Sequence, residues 1–187
     1  MAEFYRDRRR PDRAMSIYES ILQTNVGEGE QEMSMRQVAE IQKALADLYS
    51  DSGKNEEAVK LYERTVNLID QDTVSEKQKN DSLAAIYSDL GNAQFSLKRL
   101  EEALVAYKKA AHYSRLYYGE KSVEHLTMLN NIAACHFVNK DDPESLKLAS
   151  EIAKMGYSLA QKLGPEKTVL DLQQNLQSII ENLSDSH

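Results

Sequence analysis

The chain has 187 residues, of which 41% are hydrophobic and 28% are charged, with 7 glycines, 3 prolines and a net charge of -7. This composition supports a folded core, and the scarcity of turn-forming residues favours helices over many short strands. The negative charge argues against a non-specific nucleic-acid binder, which needs a basic face, and favours neutral or basic partners. The single cysteine, Cys135, excludes an intrachain disulfide framework.

No apolar stretch approaches the roughly 18 residues that a membrane-spanning helix needs, and the sequence has no apolar core of a signal peptide. We therefore expect an intracellular protein, cytoplasmic by default, with no membrane and no nucleic acid among its partners. The first expected helix is only about two turns long, whereas a terminal repeat needs a polar cap. We expect a fragment of a longer protein, and targeting to an organelle stays open.

Apolar residues at the i, i+3, i+4, i+7 spacing of amphipathic helices predict the elements that follow. A short helix and a second one are expected before Gln23, and a glycine-containing stretch follows at Thr24–Glu32. The next four helices are expected over Met33–Ser52, Asn55–Asp70, Thr73–Lys98 and Leu100–Tyr117. Gly53 is expected at the corner between the first two of these four.

Several helix starts and ends carry their own signals. Ser75 and Gln78 have the spacing of a capping box. Ser122 is a suitable start for a helix that continues to Phe137. Asp142 before Pro143 predicts another start, because a carboxylate N-cap precedes a ring already fixed at a helical φ. That helix is expected to reach Leu163. Gly164 and Pro165 then separate it from a final helix with one apolar face.

The stretch Leu90–Ala111, LGNAQFSLKRLEEALVAYKKAA, predicts two helices joined by a corner of three or four residues. Small residues, Gly91, Ala103 and Ala110, stand where the two helices would touch. The small-residue position that Ala103 occupies in this pattern recurs along the chain. Its copies are separated by 44, 45 and 42 residues, at Ala14, Ala58, Ala103 and Ser145.

This pattern resembles the tetratricopeptide repeat, in which a large residue and L-G-x-x-Y precede a corner, followed by alanine, an aromatic residue and alanine. The strongest copy has Leu45, Ala46, Tyr49, Gly53, Ala58 and Tyr62. The spacing exceeds the ordinary 34 residues, and residues 119–137, GEKSVEHLTMLNNIAACHF, are similar to the repeats of kinesin light chains. The resemblance implies an all-α, right-handed superhelix, an α-solenoid, with a capping helix at its carboxyl end.

We therefore predict one domain over residues 1–187. It would contain an incomplete first repeat, three further repeats and the capping helix, at residues 1–26, 33–70, 74–118, 122–163 and 165–183. A second interpretation of the last helix is that its apolar stripe, from Val169 to Leu183, dimerises or docks a partner. The oligomeric state is left open, with a monomer favoured.

The sequence lacks motifs that would indicate catalysis or a cofactor. It contains no G-x-x-x-x-G-K-[ST], no G-x-S-x-G and no H-E-x-x-H. Cys135 and His136 are neighbours on an expected helix, so their side chains point about 100° apart and cannot form a catalytic pair. We predict a buried, unreactive thiol, no enzyme, no cofactor and no metal.

The resemblance places a partner-binding groove on the first helix of each pair. The expected groove residues are Lys43, Asp47, Ser50, Ser88, Asp89, Asn92, Phe95, Asn130, Asn131 and Phe137. Asn92 and Asn131 are the strongest candidates for holding a peptide backbone, because an amide side chain both donates and accepts. Asp47 and Asp89 argue against the carboxylate clamp of chaperone-binding family members, since they would repel a carboxylate.

The predicted function is protein–protein recognition by a scaffold or adaptor. Its groove would take a neutral-to-basic segment with an apolar anchor, as a strand-like peptide or an amphipathic helix. The alternative is a regulatory, ligand-sensing domain in which a peptide or small molecule changes the superhelical pitch. A large, salt-sensitive partner footprint would favour the scaffold, whereas a peptide-length ligand fully enclosed by the groove would favour the sensor.

Overall fold

The computed structural model describes residues 11–24, 33–73, 75–139 and 142–184. These residues form eight helices and no strand, so the all-α prediction is confirmed. The helices are α1 (Pro11–Thr24), α2 (Met35–Asp51), α3 (Asn55–Gln71), α4 (Glu76–Ser96), α5 (Leu100–Tyr118), α6 (Val123–Val138), α7 (Pro143–Leu163) and α8 (Lys167–Ser184). The predicted first short helix and most of the glycine-containing stretch lie outside the described residues.

The chain divides into two compact units, one that ends at Lys98 and one that begins at Arg99. The division falls in the turn of three residues between α4 and α5. The length of this turn agrees with the predicted corner. The assignment of the helices to repeats stays a prediction.

The predicted caps explain where α6 and α7 begin. The Ser122 hydroxyl accepts a hydrogen bond from the His125 N–H at 3.2 Å. The Asp142 carboxylate accepts from the Glu144 N–H at 3.1 Å, with Pro143 as the first helical residue. Both starts are confirmed, because each side chain satisfies a backbone donor that has no partner within the helix.

A complete capping box lies at the start of α2, where the sequence analysis did not predict one. The Ser34 hydroxyl accepts from the Gln37 N–H at 3.3 Å, and the Gln37 side chain accepts from the Ser34 N–H at 2.9 Å. This box starts the helix at Met35 rather than at the predicted Met33. At α4 half of the predicted box forms: the Ser75 hydroxyl accepts from the Gln78 N–H at 3.4 Å, and it also donates to the Gln78 side-chain oxygen at 2.9 Å.

Two corners of the first unit use the left-handed backbone conformation. Gly53 ends the turn between α2 and α3 with a φ of 75°, as its sequence position predicts. Lys98 has the corresponding conformation after α4, with a φ of 61°, although a side chain disfavours it. The sequence gives no glycine signal at this second corner.

In the first unit, α2 packs against α1 and α3, α3 packs against α4, and α2 also touches α4. The apolar stripes that predicted the helices are the buried faces. They include Leu45, Leu48, Leu61, Val66, Leu83, Ile86 and Leu90. The contact between α2 and α4 brings polar side chains from two predicted groove helices together.

In the second unit, α6 packs between α5 and α7, and α8 covers α7 and α6. The apolar face predicted for the last helix is buried there, at Val169, Leu172, Leu176 and Ile179. Gly156 of α7 allows close contact: a Cβ atom at this position would lie 2.9 Å from Leu176 Cδ1 and 3.6 Å from Leu129 Cβ. The final helix therefore closes the core of its own unit, as the capping interpretation predicts.

Candidate functional site

Five of the predicted groove residues line one small cavity of the first unit. This α2–α4 pocket has a volume of about 260 Å³ and is lined by Lys43, Asp47, Ser50, Asp51, Tyr62, Asp89 and Asn92. Its α2 residues follow the i, i+4, i+7, i+8 spacing of one helix face. Helix periodicity and the contact between α2 and α4 together build the pocket.

Lys43 is bound on two sides by carboxylates. Its Nζ lies 3.0 Å from both oxygens of Asp47, one turn further along α2, and 2.9 Å from Asp89 Oδ2 on α4. Burial alone would lower the pKa of Lys43, but Asp89 and Asp47 outweigh burial and raise the pKa above its usual 10.5. The amine is therefore charged at neutral pH and links α2 to α4.

The carboxylates of the pocket outnumber its amine. Among the lining residues, Asp47, Asp51 and Asp89 face the single cation of Lys43. Burial raises the pKa of Asp89; Lys43 opposes this shift, and the negative charges of Asp47 and Asp51 add to it. The pocket thus keeps negative charge after its internal ion pairs have formed.

Tyr62 is the pocket residue whose polar role the sequence analysis missed. Its ring is almost fully buried in α3, as periodicity predicts, but its hydroxyl donates to Asp47 Oδ1 at 2.8 Å. Burial, with the charge of Asp47, raises the pKa of Tyr62 and keeps the hydroxyl protonated. A buried phenol hydroxyl usually has a polar hydrogen-bond partner. The tyrosine at a core position of α3 was therefore the sequence signal that could have indicated this contact.

The other predicted groove residues do not line this pocket. Ser88 and Phe95 are half-buried on α4. In the second unit, Asn130 Nδ2 donates to Asn131 Oδ1 at 3.2 Å, and the buried Oδ1 of Asn130 accepts no hydrogen bond from the described residues. Phe137 packs against the core of that unit. These residues stay predictions as partner contacts.

Cys135, the cysteine considered for chemistry, is fully buried, and burial raises the pKa of its thiol to about 12. It is therefore a thiol at neutral pH, consistent with the predicted unreactive side chain.

In the described part of the chain, no group of three or more His, Cys, Asp or Glu side chains could hold a metal ion. None of the described helices has the length and hydropathy to cross a membrane.

Sequence models of the tetratricopeptide repeat match residues 43–74 and 84–114. The first match includes Lys43, Asp47 and Tyr62 of the pocket, and the second includes Asp89 and Asn92. No curated protein sequence matches the chain at a significant level.

Solved structures match over almost the whole chain. BtubC (BKLC) from P. vanneervenii has a TM-score of 0.72 and 17% identity, covering 98% of this chain and 76% of that one. The nearly identical TPR-like repeats of a putative kinesin light chain from Podosopora anserina have a TM-score of 0.70 and 16% identity, covering 98% and 90%. MamA has a TM-score of 0.56 and 16% identity, covering 99% and 93%. At these identities the likeness shows the fold alone.

Proposed function

Because the chain belongs to the tetratricopeptide-repeat family and has its α-solenoid fold, we propose that it is a protein-interaction scaffold whose α2–α4 pocket binds a basic segment of a partner protein. One observation carries this proposal: the pocket has three carboxylates and one amine, and that amine is already bound by two of the carboxylates. An incoming lysine or arginine would offset part of the negative charge that remains.

The same geometry argues against an acidic ligand in this pocket. A lysine that recognises a carboxylate must direct its N–H donors toward the ligand. Lys43 instead directs them toward Asp47 and Asp89, each at about hydrogen-bond distance (2.9 to 3.0 Å). An acidic peptide would have to displace one of these partners and approach the others at close range, which like charges oppose.

Uncharged groups beside the carboxylates suit the rest of a peptide. Asn92 is exposed on α4 and lines the pocket with Ser50. An amide and a hydroxyl can together bond the N–H and C=O groups of an extended backbone. Phe95 follows Asn92 by three residues, which places it on the same side of α4. Its half-exposed ring offers a contact for an apolar anchor next to the charged site.

Asn130 and Asn131 would supply a second backbone contact, on α6 of the other unit. The support is that both side chains are only half-buried on α6 and carry the amide groups that bond a peptide backbone. An Asn131→Ala variant tests this part of the proposal separately from the pocket, since the two residues lie in different units.

The pocket is tested by affinity capture from an extract of the source organism. The pocket variant combines Asp51→Lys with Asn92→Ala, both at pocket-lining residues. The control combines Asp70→Lys with Asn67→Ala, at exposed residues of α3 that do not line the pocket. The match is close, because Asp51 and Asp70 both lie in the last turn of their helices.

We expect the pocket variant to reduce the captured partner about tenfold, which corresponds to about 1.4 kcal/mol of binding free energy, and the control to leave it unchanged. Melting temperatures within about 3 °C of the wild-type value would show that both variants are folded. Equal capture by the pocket variant and the wild-type chain would contradict the assignment of this pocket.

A further inference from the structure

A groove on the second unit has the opposite charge to the α2–α4 pocket. It has a volume of about 830 Å³, and its basic side chains are Lys108 and Arg115 of α5, Lys121 before α6, and Lys154 and Lys162 of α7. Glu120 is the only carboxylate among its described lining residues. We refer to it as the basic groove. The concentration of cations is unusual in a chain whose net charge is -7.

The basic groove follows from the packing of α5, α6 and α7. Helix α6 lies between α5 and α7, which form the two walls. His125 and Leu129 are four residues apart, so they share the face of α6 that lines the groove. Asn131 follows Leu129 by two residues and therefore lies about 200° around the helix from it, because successive residues are about 100° apart. The basic groove is therefore a different surface from the predicted asparagine contact.

Most of these cations are available to a ligand. Within the described residues, Lys108, Lys121, Lys154 and Lys162 form no ion pair. Arg115 is 3.6 Å from Glu120, but the side chains are 50% and 72% exposed. Such a solvent-exposed pair is worth little and exchanges readily.

The groove also offers apolar contact. Met155 is 62% exposed and lies on the groove wall, and Ala111, Leu129 and Leu159 are among the lining residues. A flexible methionine suits contact with variable apolar side chains. A ligand that combines carboxylates with an apolar side chain would match both the charge and the surface.

We propose that the basic groove docks an acidic segment of a partner protein, with carboxylates against the lysines and an apolar side chain against Met155. Electrostatic complementarity of this kind steers association and selects partners. A single-stranded nucleic acid is the competing ligand, because His112, His125 and Arg115 line the groove and such side chains stack on bases. The exposed Met155 and the lining Leu159 favour a protein segment, since they offer contact to an apolar side chain.

The test uses fluorescence anisotropy with a labelled peptide of about ten residues, all glutamate except for one central leucine. The groove variant combines Lys121→Glu with Lys154→Glu. The control combines Lys147→Glu with Lys167→Glu, which makes the same charge change at exposed lysines outside the lining. A peptide with glutamine in place of glutamate separates charge recognition from general adhesion.

We expect the groove variant to weaken binding of the glutamate peptide about tenfold or more, the control to change it by about twofold at most, and added salt to weaken it in the wild-type chain. Equal weakening by both double variants would overturn the proposal, as would equal binding of the glutamine peptide. Tighter binding of a labelled oligouridine of the same length would replace the protein ligand with a nucleic acid.

Discussion

Replacing Leu176 by alanine is expected to lower the free energy of unfolding by about 3 kcal/mol, since the variant loses a fully buried side chain and leaves a cavity. Leu176 belongs to the core that joins α8 to α7 and α6. Urea unfolding followed by circular dichroism measures the change. Leu170→Ala is the control on the same helix, because Leu170 is 42% exposed and its loss should cost no more than about 0.5 kcal/mol.

The close approach at Gly156 allows a sharper version of this experiment. In the wild-type chain, Gly156→Ala would place a Cβ atom 2.9 Å from Leu176 Cδ1, so the gain in helix propensity is offset by overpacking. In the Leu176→Ala background that contact is gone, and Gly156→Ala should recover about 1 kcal/mol. Additive effects of the two substitutions would contradict the described packing of α8.

Replacing Lys43 by methionine is expected to destabilise the first unit by about 2 kcal/mol at neutral pH. The variant leaves Asp47 and Asp89 half-buried without the cation that binds them both. Breaking a fully buried pair costs about 3–5 kcal/mol, and the partial exposure of these side chains reduces this value. Arg36→Met is the control on the same helix, because its pair with Glu40 is largely exposed.

The pH dependence distinguishes this electrostatic loss from simple loss of packing. The raised pKa of Lys43 means that its contribution is complete below about 10.5 and is lost as the pH rises through its folded value. The raised pKa of Asp89 means that the folded chain binds a proton more tightly than the unfolded chain, so protonation at acidic pH relieves the cost of burying this charge and its repulsion by Asp47 and Asp51. Without Lys43, this relief becomes larger.

We therefore expect the difference in stability between Lys43→Met and the wild-type chain to be largest near neutral pH. It should shrink as the pH falls into the acidic range, where Asp89, whose pKa is raised, becomes protonated. Urea unfolding at several pH values measures this difference. A deficit that stays constant between neutral and acidic pH would show that Lys43 acts through its aliphatic chain alone.

Local chemistry made the helices predictable from the sequence. The structure confirms the caps at Ser122 and Asp142 and the apolar face of α8. Each of these features depends on residues that are close together in the chain. The predicted start of α2 was two residues too early, because the sequence analysis did not recognise the capping box of Ser34 and Gln37. Lys98 shows the remaining limit: a corner can adopt a left-handed conformation without the glycine that would announce it.

The site was only partly predictable, because its contacts connect helices distant in sequence. Periodicity placed Lys43 and Asp47 on one face of α2, but the second partner of Lys43 depends on how closely α4 approaches. The bond from Tyr62 to Asp47 depends in the same way on α3. The basic groove was missed because its cations are scattered over α5, α7 and the start of α6, where each one alone resembles a solvated lysine.

The central claim is that the α2–α4 pocket binds a basic partner segment. A nuclear magnetic resonance titration of the ¹⁵N-labelled chain tests it most directly, using a peptide of about ten residues that is all lysine except for one central leucine. We predict that the largest amide shifts fall at Lys43–Asp51 and Asp89–Phe95, and that Asp51→Lys with Asn92→Ala abolishes them. Shifts of equal size in the double variant, or shifts confined to residues outside the pocket, would contradict the claim.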